Sequence, residues 1–214
     1  MPDESSRARI AALIERGPDP DGAWERLMPI LEADPDIALS EEALRRACAL
    51  AGTSRALSQT VARYPSLLLG LAPQPTVTLR VRAALASIAA DDMANVIDVA
   101  QATARFSDEI DHIVADALET SRVEVAQRHP IVDDLPFSVV AMGKWGAREL
   151  NYASDIDLIF AHDNVGNEET PSRAAALALA ARLISALSSP TVDGPGLEVD
   201  ADLRPEGSIG PLSR

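Results

Sequence analysis

The sequence predicts an α+β protein built as two domains: a helical N-terminal domain over residues 1–130, then a small α/β domain over residues 131–214. Three observations carry this. Apolar residues recur at three- and four-residue spacing through the first part, the spacing of one helix face. The pattern then breaks at Arg128-His129-Pro130, after which short apolar and alternating runs appear. Finally, 214 residues, 47% of them apolar and 24% charged, are enough to bury a core and exclude a disordered chain.

Taking the elements in order, helices are expected around Ser6–Arg16, Asp21–Leu31, Glu41–Leu50 and Ser54–Tyr64. Ile10, Leu13, Ile14, Trp24, Leu27 and Leu31 mark their apolar faces. Gly17-Pro18, Asp34-Pro35, Gly52 and Pro65 are the expected stops. Thr78–Gln127 reads as two or three alanine-rich helices, with Ala86, Ile88, Val96, Ile110, Ile113 and Val114 facing inward. Cys48, in the Glu41–Leu50 helix of the helical domain, is expected to be a core residue. After the linker IVDDLP, Phe137–Met142 reads as a buried strand ending at Gly143, and Asp155–Ala161 as a second strand. A helix follows, with Thr170 as N-cap and Pro171 at its first position, running to about Ser188. Leu197–Leu203 alternates as a third strand, placing Val199, Ala201 and Leu203 inward and Glu198, Asp200, Asp202 and Arg204 on a polar face.

Composition narrows the function. The net charge is −14, spread over both parts of the chain, and such a field repels bare phosphate chains; a nucleic-acid partner is not expected. No apolar run approaches a membrane span, and MPDESSRARI has no signal core. A single cysteine forms no internal disulfide, so the expected compartment is the cytoplasm. Of 19 basic residues, 18 are arginine; the one lysine, Lys144, stands between two glycines of which one follows it by two positions.

Three patterns carry chemistry. Gly143-Lys144-Trp145-Gly146 directly follows a strand, where glycine lets backbone N–H groups approach phosphate and lysine supplies a point charge. The spacing is not that of a Walker loop, and the same tetrapeptide also suits a tight strand exit. In Ser154-Asp155-Ile156-Asp157-Leu158, the two aspartates project from one strand face while Ile156 and Leu158 enter the core. Paired carboxylates repel unless a cation lies between them, and hard oxygen ligands suit magnesium; a solvated strand edge is the alternative. Glu198–Arg204 adds carboxylates on a later strand. Together, a glycine loop, an acidic pair twelve residues after Gly143 and a further carboxylate are what two-metal phosphoryl or nucleotidyl transfer needs.

VVAMGKWGARELNYASDIDLIFAHD and LEVDADLRPEGSIGPL resemble the glutamine synthetase adenylyltransferase/deadenylase family of the polymerase-β-like nucleotidyltransferase superfamily. The pattern G-K-x-G-x-R-E-L-N-x-x-S-D-I-D-L is matched from Gly143 to Leu158, and GTSRALSQTVARYPSLLLGL resembles the family's helical lead-in. The resemblance covers about residues 45–214 and implies a nucleotidyltransferase-type domain with a mixed sheet, incomplete at its C-terminus. It implies Asp155, Asp157 and Asp200 as catalytic metal ligands holding two Mg²⁺ ions, and Gly143, Lys144, Ser154, Arg148 and Arg204 as nucleotide-binding residues for ATP or ADP. Glu149 and Asn151 match family positions near the loop; Asp202 receives no ligand role.

The implied activity is phosphorolytic removal of AMP from an adenylylated tyrosine of glutamine synthetase, releasing ADP and regulating nitrogen assimilation. The wording ELNY points to this removing half rather than to transfer from ATP. The nitrogen-signalling PII protein is an implied regulator. Relatives carry two such domains in a longer chain and continue past Pro211-Leu212-Ser213-Arg214 into further helices, so a fragment or shortened relative is expected. A non-catalytic module that binds nucleotide or partner stays open on the same grounds.

Overall fold

The computed structural model describes residues 4–15, 17–73 and 76–202. It divides into two compact units, Met1–Arg105 and Phe106–Arg214, and is α+β. The first unit holds α1 (Glu4–Ile14), α2 (Pro20–Ala33), α3 (Glu41–Thr53), α4 (Arg55–Arg63) and α5 (Val77–Met93), with 3-10 turns at Pro35–Ala38 and Pro65–Leu69. The division falls within the long helix α6 (Val99–Ala126).

Helix starts in the first unit follow side-chain capping. Asp19, Ser40, Ser54 and Thr76 each accept a hydrogen bond from a backbone N–H of the first turn of α2, α3, α4 and α5. These caps satisfy donors that a helix leaves free at its N-terminus. Ser54 serves twice, as the residue after α3 and the cap of α4, so one residue makes the corner. The expected stop at Gly52 is therefore wrong: Gly52 lies buried inside α3, and the chain turns at Ser54. Val96 is also misplaced as an inward residue. It is 50% exposed, because it sits in the α5–α6 connection and not on a helix face. Between Thr78 and Gln127 there are two helices among the described residues.

The unit's core is leucine-, isoleucine- and alanine-rich, with Leu27, Ile30, Leu44, Leu50, Leu67 and Leu68 fully buried. One charged cluster interrupts it. Asp91, on α5, accepts two 2.8 Å hydrogen bonds from the Arg46 guanidinium on α3. Arg46 also donates to the Leu68 carbonyl at 2.8 Å, and its Nη2 lies 2.9 Å from Glu42. Arg105 approaches Asp91 at 3.3 Å. Burial raises the Asp91 carboxyl, but the Arg46 hydrogen bonds and charge, with Arg105, outweigh it and hold the group below its ordinary 3.8.

The second unit contains β1 (Phe137–Ala141), the single-turn helix α7 (Gly143–Gly146), β2 (Ile156–His162), α8 (Glu169–Ser188) and β3 (Val199–Asp200). Among the described residues these strands form a mixed sheet ordered β1-β2-β3, β1 antiparallel and β3 parallel to β2. A parallel pair needs a crossover, and α8 supplies it. Its Ala175, Ala176, Leu179, Ala180, Leu183 and Leu187 recur at helical spacing and are buried. Val125, Val132 and Leu135 share a core with Ala175, Ala176 and Leu179, and Arg182 pairs with Glu124 across α8 and α6.

Three expectations change here. Phe137–Ala141 is an edge strand, not a buried one: among the described residues it pairs only with β2, and its Ser138 and Val140 are exposed, Val140 at 40%. Glu168, not Thr170, precedes the first turn of α8, and Pro171 sits two residues inside it, where a missing N–H costs nothing. The third strand spans only Val199–Asp200, with Leu203 outside the described residues.

Asp91→Asn should destabilise the protein by about 1–3 kcal/mol, because it removes the charged acceptor of two buried Arg46 hydrogen bonds and leaves the guanidinium with Glu42 alone as its carboxylate partner. A carboxyl whose folded pKa is depressed stabilises fully above its unfolded value and loses that contribution as pH falls through the folded one. Urea unfolding should thus show the gap between wild type and variant closing below pH 3.8. Cys48 is 3% exposed, and burial pushes its thiol up to about 12. It should resist a maleimide at neutral pH until the chain is unfolded in denaturant, read by mass spectrometry.

Candidate functional site

The site begins where β1 ends. Met142 continues the ladder by donating its N–H to the Asp157 carbonyl at 2.8 Å. The chain then turns sharply at Gly143, whose φ is +52°, a conformation that side chains rarely adopt. A Cβ there would also strike the Asp157 carboxylate, lying 2.9 Å from its Cγ. Glycine is required twice over, by backbone angle and by close approach. At Gly146 a Cβ would sit 2.5 Å from the Ala141 carbonyl oxygen, so the turn folds tightly back on the strand that feeds it.

β2 supplies the acidic pair. Ile156, Leu158 and Phe160 are buried on one face, which sends Asp157 to the other together with Asp155 just before the strand. The parallel register then decides the third member. Ile156 pairs with Val199 and Asp157 with Asp200, and the Ile156 N–H donates to the Glu198 carbonyl at 2.9 Å. Carboxylate oxygens of Asp155, Asp157 and Asp200 all lie within 4.8 Å of one another. Asp157 and Asp200 are half-buried and Asp155 is exposed. Three carboxylates that close form an oxygen donor set that fits a hard divalent cation such as magnesium. Asp200 also accepts a hydrogen bond from the Asp202 N–H at 2.8 Å, which closes the chain beyond β3 around it.

Lys144 and Ser154 come together beside the turn. The lysine Nζ lies 3.4 Å from the Ser154 hydroxyl, and that hydroxyl donates to Asn151 Oδ1 at 2.8 Å. Asn151 Oδ1 also accepts the Ala153 N–H at 3.1 Å, so its side chain organises the loop that leads into the acidic pair. Glu149 is exposed, and its N–H donates to the Lys144 carbonyl at 2.8 Å.

Arg148 is placed differently. It takes φ +60°, and its guanidinium forms ion pairs with Asp108 and Asp111 on α6. Arg204 lies outside the described residues. Nothing in the sequence singles out Asp108 and Asp111. Both look like solvent-face residues of a helix, and nothing local distinguishes them from their acidic neighbours.

Two comparisons bear on this geometry. The family described as glutamate-ammonia ligase adenylyltransferase matches residues 75–214, which include the whole of the glycine turn, the acidic pair and Asp200. A bifunctional glutamine synthetase adenylyltransferase/adenylyl-removing enzyme from Streptomyces coelicolor is 35% identical over 236 residues, covering 92% of this chain and 23% of the relative. Its counterpart from Streptomyces avermitilis is 34% identical, with 92% and 23% covered. One from Brucella suis is 38% identical over 128 residues, 56% of this chain and 13% of that protein. The chain thus spans under a quarter of the length of these curated relatives. With the family match covering well over half of its residues, this chain belongs to the glutamate-ammonia ligase adenylyltransferase family.

Proposed function

We propose that the second unit carries a metal-dependent nucleotidyl-transfer site acting on glutamine synthetase, and that its reaction is phosphorolytic removal of AMP from an adenylylated tyrosine. The observation that carries the reading is the convergence of Asp155, Asp157 and Asp200 beside the glycine turn. The direction rests on the likeness of the ELNY segment to the adenylyl-removing half of the family, whose members' names state both activities.

In this reading Asp155, Asp157 and Asp200 hold divalent cations, magnesium by the hardness of their oxygens. Bound there, magnesium supplies neutralisation of the charge that builds on phosphoryl and leaving oxygens. Gly143 keeps the space in front of Asp157 free of side chain, so the turn's backbone approaches the phosphates. Lys144 adds a positive charge at the exposed rim, held near Ser154 and Asn151. An oxygen of inorganic phosphate attacks the α-phosphorus of the tyrosine–AMP ester; the new P–O bond makes ADP, and the phenolic oxygen leaves and takes up a proton. The role of these residues is positioning and electrostatics, the dominant contributions in phosphoryl transfer. Arg148 and Arg204 complete the nucleotide-binding set that the resemblance implies, and PII is the regulator that it implies.

Incubating the chain with adenylylated glutamine synthetase, phosphate and magnesium should release ADP. In Asp155→Asn/Asp157→Asn the rate should fall at least about a hundredfold, the scale on which lost preorganised electrostatics act, with the circular dichroism spectrum unchanged. Equal rates would overturn the assignment, and consumption of ATP in place of phosphate would reverse its direction. Gly143→Ala should weaken magnesium binding measured by calorimetry, because the added methyl displaces the Asp157 carboxylate; an unchanged affinity would remove Gly143 from the site.

A further inference from the structure

We propose that Asp111 on α6, assisted by Asp108, is a positioning residue of this metal site: it holds the glycine turn in the one place where Gly143 can lie against Asp157. The inference rests on the metal reading above and extends it to a helix that contributes none of the three ligands.

The turn is anchored from two sides. On the sheet side, Met142 N–H donates to the Asp157 carbonyl and Gly143 packs on the Asp157 carboxylate. On the helix side, Asp111 uses both carboxylate oxygens on the turn. Its Oδ1 accepts the Trp145 indole N–H at 2.8 Å, and its Oδ2 lies 3.7 Å from an Arg148 guanidinium nitrogen. Asp108 pairs with the other end of that guanidinium. One turn further back on α6, the Ser107 hydroxyl accepts the Leu150 N–H at 3.3 Å. Successive turns of one helix thus grip residues 145, 148 and 150.

That grip has a purpose in the local backbone. Four residues of α7 form a helix with little stability of its own, closed by bonds such as Gly146 N–H to the Met142 carbonyl and Glu149 N–H to the Lys144 carbonyl. Arg148 is held with φ +60°, which a non-glycine residue keeps only when its surroundings impose it. Trp145 is 4% exposed and would otherwise bury an unsatisfied indole N–H. Asp111 answers both needs with one side chain. If it is lost, the turn relaxes, Gly143 leaves its seat, and the carboxylate that Gly143 confines is no longer held for a metal. This is the indirect control that outer partners exert on ligands.

The test is Mn²⁺ affinity of the full chain, read by electron paramagnetic resonance, for wild type, Asp155→Asn/Asp157→Asn, Asp111→Ala and Asp111→Asn. Wild type should bind and the double variant should not; a wild type that binds no Mn²⁺ overturns the metal reading and this inference with it. Asp111→Ala should raise the dissociation constant about tenfold or more. Asp111→Asn keeps a carbonyl for the indole but loses the charge facing Arg148, and should fall between; it decides the matter if the alanine variant does not fold. Hydrogen exchange should quicken at residues 146–149 in the Asp111 variants and stay unchanged in α8. If the folded Asp111 variants bind Mn²⁺ like wild type, or their turn amides exchange like wild type, the positioning role is overturned while the metal site stands.

Discussion

The arrangement of the second unit depends on the parallel register between β2 and β3. Pairing Asp157 with Asp200 sets two like charges side by side, and Asp155 brings a third within 4.8 Å. Taken alone, that placement is repulsive. It is maintained from beneath: Ile156, Leu158 and Phe160 are buried on the opposite face, and α8 covers the sheet with leucine and alanine. A shift of one residue in either strand would send the carboxylates inward and the apolar side chains to solvent. The hydrophobic face therefore holds the acidic face in place, and the close approach of three carboxylates results from a packing requirement.

Glycine closes on the acidic cluster from the other side. The chain leaves β1 and reverses against Asp157 in a space that admits no Cβ. The turn is then secured by α6, whose polar side reaches it through Ser107, Asp108 and Asp111. Sheet and helix thus share the turn between them. The acidic groups of α6 face Trp145 and Arg148 of the turn, while Asp157 of β2 faces Asp155 and Asp200.

The first unit follows a different logic. Its helices are started by short polar caps and assembled over an aliphatic core, with one ionic cluster at Asp91 tying α3, α5 and the start of α6. Such a cluster is costly to desolvate and more costly to break once formed. None of its residues was visible as a group in the sequence: Arg46 and Asp91 are 45 positions apart, and each looks like an ordinary surface charge of an amphipathic helix.

Local pattern by itself determined a good deal of this protein. Helical periodicity, strand alternation and the strand-exit glycine are read from neighbours in the chain, and so the α+β class and the pairing of Asp155 with Asp157 on one face were legible. The long motif from Gly143 to Leu158 carried the family. What failed was whatever depends on the rest of the fold. Gly52 became a buried helix residue because Ser54 caps the next helix, Val96 became exposed in a connection, and β1 became an edge because no fourth strand among the described residues covers it. The resemblance grouped Asp200 with Asp155 and Asp157, but only the tertiary structure gave the register that sets it opposite Asp157 and brought α6 to the turn. Register and helix packing join residues 43 positions apart in sequence, and local spacing carries no information about distances of that kind.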